Sequence, residues 1–263
     1  MESSRRRFIK VAGIAALGIS AQPAIQAVAA TSAHEPQPTT RKASQALTAK
    51  QWAMIIDTRR FHSAKDLEPI IEACHKAHNV PHFSEKNHEI KWIWETHFHN
   101  AFPNSPNPYL NEAVEERPYL VLCNHCIDPP CVRVCPTKAT FKRESDGIVL
   151  MDFHRCIGCR FCMAACPYGS RSFNFKDPRL GLDDKEINRE FPTRMRGVVE
   201  KCNFCAERLA KGLMPACVEA SDGAIVFGDL EDPRSPVREV LHENFTIRRK
   251  QNLGTGPCVY YIV

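Results

Sequence analysis

The sequence predicts an α+β fold in which short helices and short strands surround closely spaced cysteines. Thirteen cysteines occur in 263 residues, most of them in runs between residues 123 and 217. Apolar side chains at helical spacing predict a helix over residues 64–78. Short segments rich in β-branched and aromatic residues follow the cysteine runs and predict strands. A cysteine content of this kind requires either a disulfide framework or a metal-binding role.

We expect order to begin near Trp52. The helix over 64–78 has an apolar face that includes Leu67 and Cys74, and Pro81 lies beyond its end. Residues 92–110 are rich in aromatic residues, Asn and Pro, which predicts an ordered insertion of irregular structure. The predicted strands lie at 140–142 and 147–150, on either side of a turn at Asp146-Gly147, and at 224–227 and 258–263.

The N-terminus matches a twin-arginine export signal. Residues 4–10 are Ser-Arg-Arg-Arg-Phe-Ile-Lys, and the apolar stretch that follows is too short to span a bilayer. An Ala-x-Ala site predicts removal of residues 1–29 as a signal peptide. Residues 30–49 are rich in Pro, Thr and Ser and predict a flexible tether. We therefore expect a periplasmic protein, associated with the inner membrane through partner subunits.

The mature chain is expected to be nearly neutral. The formal charge is +5, and the leader carries four basic residues and one acidic residue, so its removal leaves +2. The sequence has no basic stripe with interleaved aromatic residues, so we expect no nucleic acid partner. After residue 30 no stretch contains eighteen consecutive apolar residues, so we expect membrane contact only through a partner.

Two cysteine runs between residues 123 and 166 predict a pair of iron-sulfur clusters. The second run has the Cys-x2-Cys-x2-Cys-x3-Cys-Pro spacing of bacterial ferredoxins, and the first has two more residues in its second gap. Three thiolates on one tight loop can reach three iron corners of a cube, and the fourth reaches the neighbouring cube. This interlocked pattern assigns one [4Fe-4S] cluster, cluster A, to Cys123, Cys126, Cys131 and Cys166. It assigns a second, cluster B, to Cys135, Cys156, Cys159 and Cys162.

Zinc and disulfides are the alternatives for these eight cysteines. Structural zinc sites use four ligands in two pairs, a pattern that has no need of three close thiolates and a displaced fourth. An exported protein can form disulfides, and a disulfide-stabilised structural protein would be colourless. Covalent haem is excluded because no Cys-x-x-Cys is followed by His.

A third run has only three cysteines: Cys202, Cys205 and Cys217. Ser221 stands where a fourth would follow. A cluster at this run therefore needs a ligand from elsewhere in the chain, and Cys74 and Cys258 are the two candidates.

Nearly the whole mature chain resembles the periplasmic ferredoxin-like subunits of membrane oxidoreductases. The motifs that carry the resemblance are Cys123-Asn-His-Cys126 with Pro129-Pro130-Cys131, Cys156-Ile-Gly-Cys159, Cys166-Pro-Tyr-Gly-Ser-Arg171, Glu200-Lys-Cys-Asn-Phe-Cys205, Gly223-Ala-Ile-Val-Phe-Gly-Asp229 and Val259-Tyr-Tyr261. Such subunits carry four cysteine runs. The segment from Ala73 to Pro81 is similar to the end of their first run, which makes Cys74 the fourth cysteine of that run.

The resemblance implies that one cluster of four is lost and three remain. The positions of one complete ligand set are occupied by residues that cannot bind iron: Ala64, Leu67, Ile70 and Ser221. The reciprocal set gives cluster C, on Cys74, Cys202, Cys205 and Cys217. Cys258 is then a spare thiol. The alternative for Cys74 is an ordinary buried thiol on a helix face.

The same resemblance implies two interleaved dicluster ferredoxin-like modules with irregular insertions. The outer module comprises residues 50–115 and 198–263 and keeps one cluster, and the inner module, residues 116–197, holds two. No residue is expected to be catalytic. The expected role is electron transfer between an NrfD-like integral membrane quinone-interacting subunit and a periplasmic multihaem cytochrome c. Further iron-sulfur subunits are candidate partners.

Three rather than four clusters make the chain similar to the ferredoxin subunit of the sulfite-reductase-associated complex (DsrO-like), which implies a role in sulfur metabolism. The alternative is the electron-transfer (beta) subunit of a molybdopterin oxidoreductase, a class that normally uses all four clusters.

Several histidines accompany these motifs. One interpretation is a second metal site or a haem contact. The preferred one places these residues at the surface or behind metal ligands, since no carboxylate partner pattern accompanies them: His75, His78, His82, His88, His97 and His99. His125 lies between two ligands of cluster A, and its predicted role is to tune that cluster by hydrogen bonding.

Overall fold

The computed structural model describes residues 45–105 and 107–263. The predicted signal peptide and most of the predicted tether lie outside the described residues. The described part is a mixed α and β structure, as the sequence predicts. Within it, no helix is both long and apolar enough to cross a bilayer.

Short strands and helices are interspersed along the described chain. The strands are β1 (Trp52–Asp57), β2 (Ile93–Thr96), β3 (Tyr119–Leu122), β4 (Thr140–Lys142), β5 (Val149–Met151), β6 (Ser172–Phe173), β7 (Val199–Glu200), β8 (Ile225–Asp229), β9 (Thr246–Ile247) and β10 (Val259–Ile262). The α-helices are α1 (Ala64–Ala77), α2 (Phe98–Ala101), α3 (Glu112–Glu115), α4 (Pro130–Arg133), α5 (Phe161–Ala165), α6 (Ala206–Leu209), α7 (Ala216–Glu219) and α8 (Pro236–Glu243). Short 3-10 helices occur at Thr58–Arg60, Lys86–His88, Pro178–Gly181 and Gln251–Leu253.

The largest sheet joins the two ends of the described chain. Its strand order is β8-β1-β10-β9, with β1 antiparallel to β8 and parallel to β10. Strand β1 is apolar and buried from Trp52 to Ile56, and both of its faces are covered. Met54 and Ile56 face the main core, whereas Ala53 and Ile55 pack beside Val237 of α8. A strand buried on both faces lacks the alternation of polar and apolar residues of a half-exposed strand.

Helix α1 confirms the helix predicted over 64–78. It begins with a capping box between Ser63 and Asp66, which satisfies backbone N–H groups at its first turn. It ends at Ala77, where His78 is the C-cap and Asn79 has the left-handed φ of 50°.

Three two-stranded antiparallel sheets surround the cysteine loops: β2-β3, β4-β5 and β6-β7. The strands predicted at 140–142, 147–150, 224–227 and 258–263 are confirmed by β4, β5, β8 and β10. The prediction of irregular structure over residues 92–110 is wrong at residues 93–96, which form strand β2. Residues 93–96 of this segment pair with β3 from Ile93 to Thr96, and this distant strand supplies the backbone partners that the local sequence does not reveal.

Candidate metal centres

All thirteen cysteines lie in the described residues, and each has a free thiol. Twelve of them belong to three separate groups. The thirteenth, Cys258, is fully buried in a small apolar cluster with Ala53, Ile55 and Val237. Burial raises the pKa of the Cys258 thiol to about 12, so its uncharged form is favoured.

Group A lines one cavity and consists of Cys123, Cys126, Cys131 and Cys166. The first two cysteines follow strand β3, and Cys131 lies in α4, which begins with Pro130 at its first position. Pro129, Pro167 and Tyr168 close the walls of the cavity. Burial, together with the other thiols of the group, raises the pKa of Cys126 to about 12.

Group B lines a second cavity and consists of Cys135, Cys156, Cys159 and Cys162. It lies nearer the surface than group A, because Cys162 alone of the four is buried. Its loop depends on Gly158, which has a φ of +70°. A Cβ atom on Gly158 would lie 2.5 Å from the carbonyl oxygen of Gly197, so a larger residue does not fit there.

Group C brings Cys74, from helix α1, together with Cys202, Cys205 and Cys217. Each of these side chains is at most 6% exposed. Burial raises the pKa of the Cys74 thiol well above its usual value, and the nearby Cys202, Cys217 and Cys205 raise it further. Helix α1 packs against α7, and this contact carries Cys74 to a run more than a hundred residues later in the chain.

The cysteine sulfurs in the described residues do not cluster closely enough to hold a single metal ion. Among the described residues, only His78, Cys205 and Glu207 bring three potential ligand atoms within 4.8 Å of one another. Tetrahedral zinc, with Zn–S bonds of about 2.3 Å, would hold four sulfurs roughly 3.8 Å apart. No three cysteine sulfurs in these residues approach so closely, whereas four thiols around one cavity suit the thiolate ligation of a [4Fe-4S] cluster.

The four positions that resemble a lost ligand set lie in different surroundings. Leu67 and Ile70 are buried in the main core, and Ala64 is exposed at the start of α1. The Ser221 hydroxyl donates to the carbonyl of Val218 and accepts from the backbone N–H of Ile225, so its hydrogen bonds are made within its own turn.

Two histidines lie beside the groups. His125 is fully buried and accepts a hydrogen bond from the backbone N–H of Val149, and its ring stacks on Phe204 with centroids 3.6 Å apart. His78 is also buried, with Nδ1 3.7 Å from Cys74 Sγ and Nε2 2.8 Å from a Glu207 oxygen. The sequence analysis did not identify Glu207 as a partner, because the pairing spans 129 positions.

Group A lies next to both of the other groups. The thiol of Cys123 in group A is close enough to raise the pKa of Cys202 in group C, after the larger effect of burial. The stack of His125 on Phe204 joins the same two loops. Between groups A and B lies Arg171, which donates to Cys131 Sγ at 2.9 Å. Sequence reasoning noted Arg171 only as part of a motif and assigned it no contact.

Comparison with known proteins supports an iron-sulfur role. Residues 119–180, which include groups A and B, match the family model for the 4Fe-4S dicluster domain. The Hdr-like menaquinol oxidoreductase iron-sulfur subunit 1 of Archaeoglobus fulgidus is 41% identical over 98% of this chain and 97% of its own length. The menaquinone reductase iron-sulfur cluster-binding subunit of Nitratidesulfovibrio vulgaris is 36% identical over 81% of this chain and 88% of its own length. A tetrathionate reductase subunit of Salmonella typhimurium is 34% identical over the whole chain and 89% of its own length.

Proposed function

The chain belongs to the family of iron-sulfur electron-transfer subunits of oxidoreductase complexes, and we propose that it relays electrons through three [4Fe-4S] clusters. Like its relatives it is a carrier and not the catalytic subunit. A [4Fe-4S] cluster takes up and releases single electrons at a potential set by its surroundings. The number of clusters and their ligands are our proposal.

The observation that carries the proposal is the division of twelve cysteines into three groups of four. We assign cluster A to Cys123, Cys126, Cys131 and Cys166, cluster B to Cys135, Cys156, Cys159 and Cys162, and cluster C to Cys74, Cys202, Cys205 and Cys217. Buried thiols with raised pKa values are costly to ionise beside one another, and bound iron compensates that charge.

The protein's own residues hold the sites dry and fix their order. The apolar and proline side chains around group A exclude water, and group C is buried within the main core. We propose a wire in the order C, A, B, built on two interleaved modules, residues 50–115 with 198–263 and residues 116–197. The sheet that joins β1 with β8 and β10 supports the interleaved arrangement.

Group B is the end of the wire that lies nearest the surface. Ile157 and Phe161, on either side of Cys159, are 66% and 58% exposed. Exposed apolar side chains beside a redox site suit a protein partner. We propose that electrons pass between the chain and a partner at this end.

For partners we propose an NrfD-like integral membrane subunit that handles a quinone, and a periplasmic multihaem cytochrome c, with further iron-sulfur subunits as candidates. The names of relatives support the first: a menaquinol oxidoreductase subunit, a menaquinone reductase subunit and the Protein NrfC homolog of Haemophilus influenzae. We also propose a periplasmic location, export by the twin-arginine signal and a link to sulfur metabolism, in the manner of DsrO-like subunits.

A second candidate is the beta subunit of a molybdopterin oxidoreductase. The full-length likeness to the tetrathionate reductase subunit favours it. Molybdopterin oxidoreductases normally use four clusters in their electron-transfer subunits. In this chain the ligand positions of the fourth cluster include the apolar side chains of Leu67 and Ile70, which favours the first proposal.

Metal analysis and purification from the native membrane test these proposals. The chain purified without oxygen is expected to hold about twelve iron and twelve sulfide per chain. A native complex isolated through a tag on this chain is expected to contain an integral membrane subunit and a haem protein. Recovery of a molybdenum protein instead would select the second candidate. A colourless preparation without iron would refute both.

A further inference from the structure

Two buried cations lie in the two gaps between the three cysteine groups. Arg171 is 4% exposed and Lys201 is 2% exposed. In the described part of the chain, neither has a carboxylate oxygen within 4.0 Å. By contrast, the buried Arg194 pairs with Glu200 at 2.7 Å, as a buried charge ordinarily requires.

Arg171 touches groups A and B. Its Nη2 donates to Cys131 Sγ at 2.9 Å and to Thr140 Oγ1 at 2.7 Å, and its Nη1 lies 3.8 Å from Met151 Sδ in the wall of group B. Burial lowers the pKa of Arg171, but the nearby thiols of Cys131 and Cys162 outweigh burial and raise it. Among the side chains that Arg171 contacts in the described residues, only the cysteine thiols can carry a compensating negative charge.

Lys201 lies between groups A and C. Its Nζ donates to the carbonyl of Val149, which lines the cavity of group A, and to the carbonyl of Cys202 at 2.6 Å. The charge of Lys201 lowers the pKa of Cys202, although burial and Cys123 raise it more. Two backbone carbonyls satisfy part of the hydrogen bonding of the ammonium group but supply no countercharge.

On the basis of the proposed function, we infer that Arg171 and Lys201 raise the reduction potentials of the groups they separate, and that cluster A, which lies beside both, has the highest potential of the three. Each reduction adds one negative charge, which a buried cation stabilises far more than a solvated one. Group C has one of these cations and also the Glu207 carboxylate near Cys74 and Cys205, which opposes reduction. Group B has the other cation and more contact with solvent.

Redox titration of the anaerobically purified protein, followed by electron paramagnetic resonance, tests this inference. Cysteine variants assign each signal to its group. We expect Arg171→Met to lower the equilibrium constant for reduction of cluster A at least tenfold, which is about 59 mV for one electron. The same substitution should lower the equilibrium constant for reduction of cluster B and leave that of cluster C unchanged. Lys201→Met should lower the equilibrium constants for reduction of clusters A and C and leave that of cluster B unchanged. In Arg171→Lys and Lys201→Arg, which keep the charge, these constants should stay within about threefold of the wild-type values.

Arg160→Met is the matched control. It removes the same unit of charge beside Cys159, but at an exposed side chain, so solvent should reduce its effect on cluster B to less than about threefold.

The order of the potentials in the wild-type protein is a second test: once the signals are assigned, cluster A should have the highest of the three potentials. The inference is overturned if A is not the highest, or if both Met variants keep about twelve iron and leave the potential of A unchanged. An iron content below about twelve in the wild type would instead contradict the proposed function.

Discussion

Replacing Cys74 by Ala should remove one cluster and leave the other two. Cys74 is the one member of group C that comes from helix α1, and it is 3% exposed. Its three partners would then be a buried incomplete ligand set. The remaining free thiol, Cys258, packs in a different apolar cluster with Val237 and cannot substitute for it without a change of fold.

The expected loss of iron follows from the number of cysteine groups. Loss of one of three four-iron sites lowers the iron content from about twelve to about eight per chain, and the visible absorbance by roughly a third. If Cys74 were an ordinary buried thiol, its removal would instead lower stability by about 1 kcal/mol and leave the iron unchanged. The two outcomes are therefore separated by the metal content.

The assay is iron and sulfide analysis of anaerobically purified variants, with electron paramagnetic resonance of the reduced protein. Cys258→Ala is the control, because it removes an equally buried thiol outside the three groups, and it should keep about twelve iron. Twelve iron in Cys74→Ala, or eight in Cys258→Ala, would refute the assignment of cluster C.

Three further outcomes are expected. Gly158→Ala places a Cβ atom 2.5 Å from a backbone oxygen at a φ of +70°, so it should release cluster B selectively and leave about eight iron, whereas Gly169→Ala, which has open space around it, should retain more. Arg194→Met leaves the buried Glu200 unpaired and should destabilise the protein by about 3–5 kcal/mol in denaturant unfolding of the iron-loaded chain; an unchanged midpoint would contradict the importance of this pair. Replacing Arg5 and Arg6 by Lys should keep the chain in the cytoplasm on cell fractionation, and normal export would exclude the twin-arginine route.

Local patterns in the sequence predicted the regular elements well. Helix α1 was predictable because its capping residues and apolar face all lie within one stretch, and β4 and β5 because a turn at Gly147 separates them. The spacing of Cys156, Cys159 and Cys162 likewise predicts that they share one loop, since the loop itself sets their separation.

Contacts between distant segments were not predictable in this way. Strand β2 was missed because its partner is β3 and its own sequence contains mixed residue types. Arginine and lysine are usually exposed, so the sequence alone does not predict that Arg171 and Lys201 are buried. Both are buried because other segments of the chain pack around them. The pairing of His78 with Glu207 has the same origin, because α1 must first pack beside the third cysteine run.

The position of Cys74 also sets an order for biosynthesis. Groups A and B need only residues up to Cys166, so a chain still attached to the ribosome already contains all of their ligands. Group C needs Cys217 as well, and β1 finds its parallel partner only in β10, where Met54 pairs with Val259. A chain truncated after residue 180 would therefore lack three of the four ligands of the last site. Under the proposed assignment, that site can be loaded only after Cys217 has been synthesised, later than the sites of groups A and B.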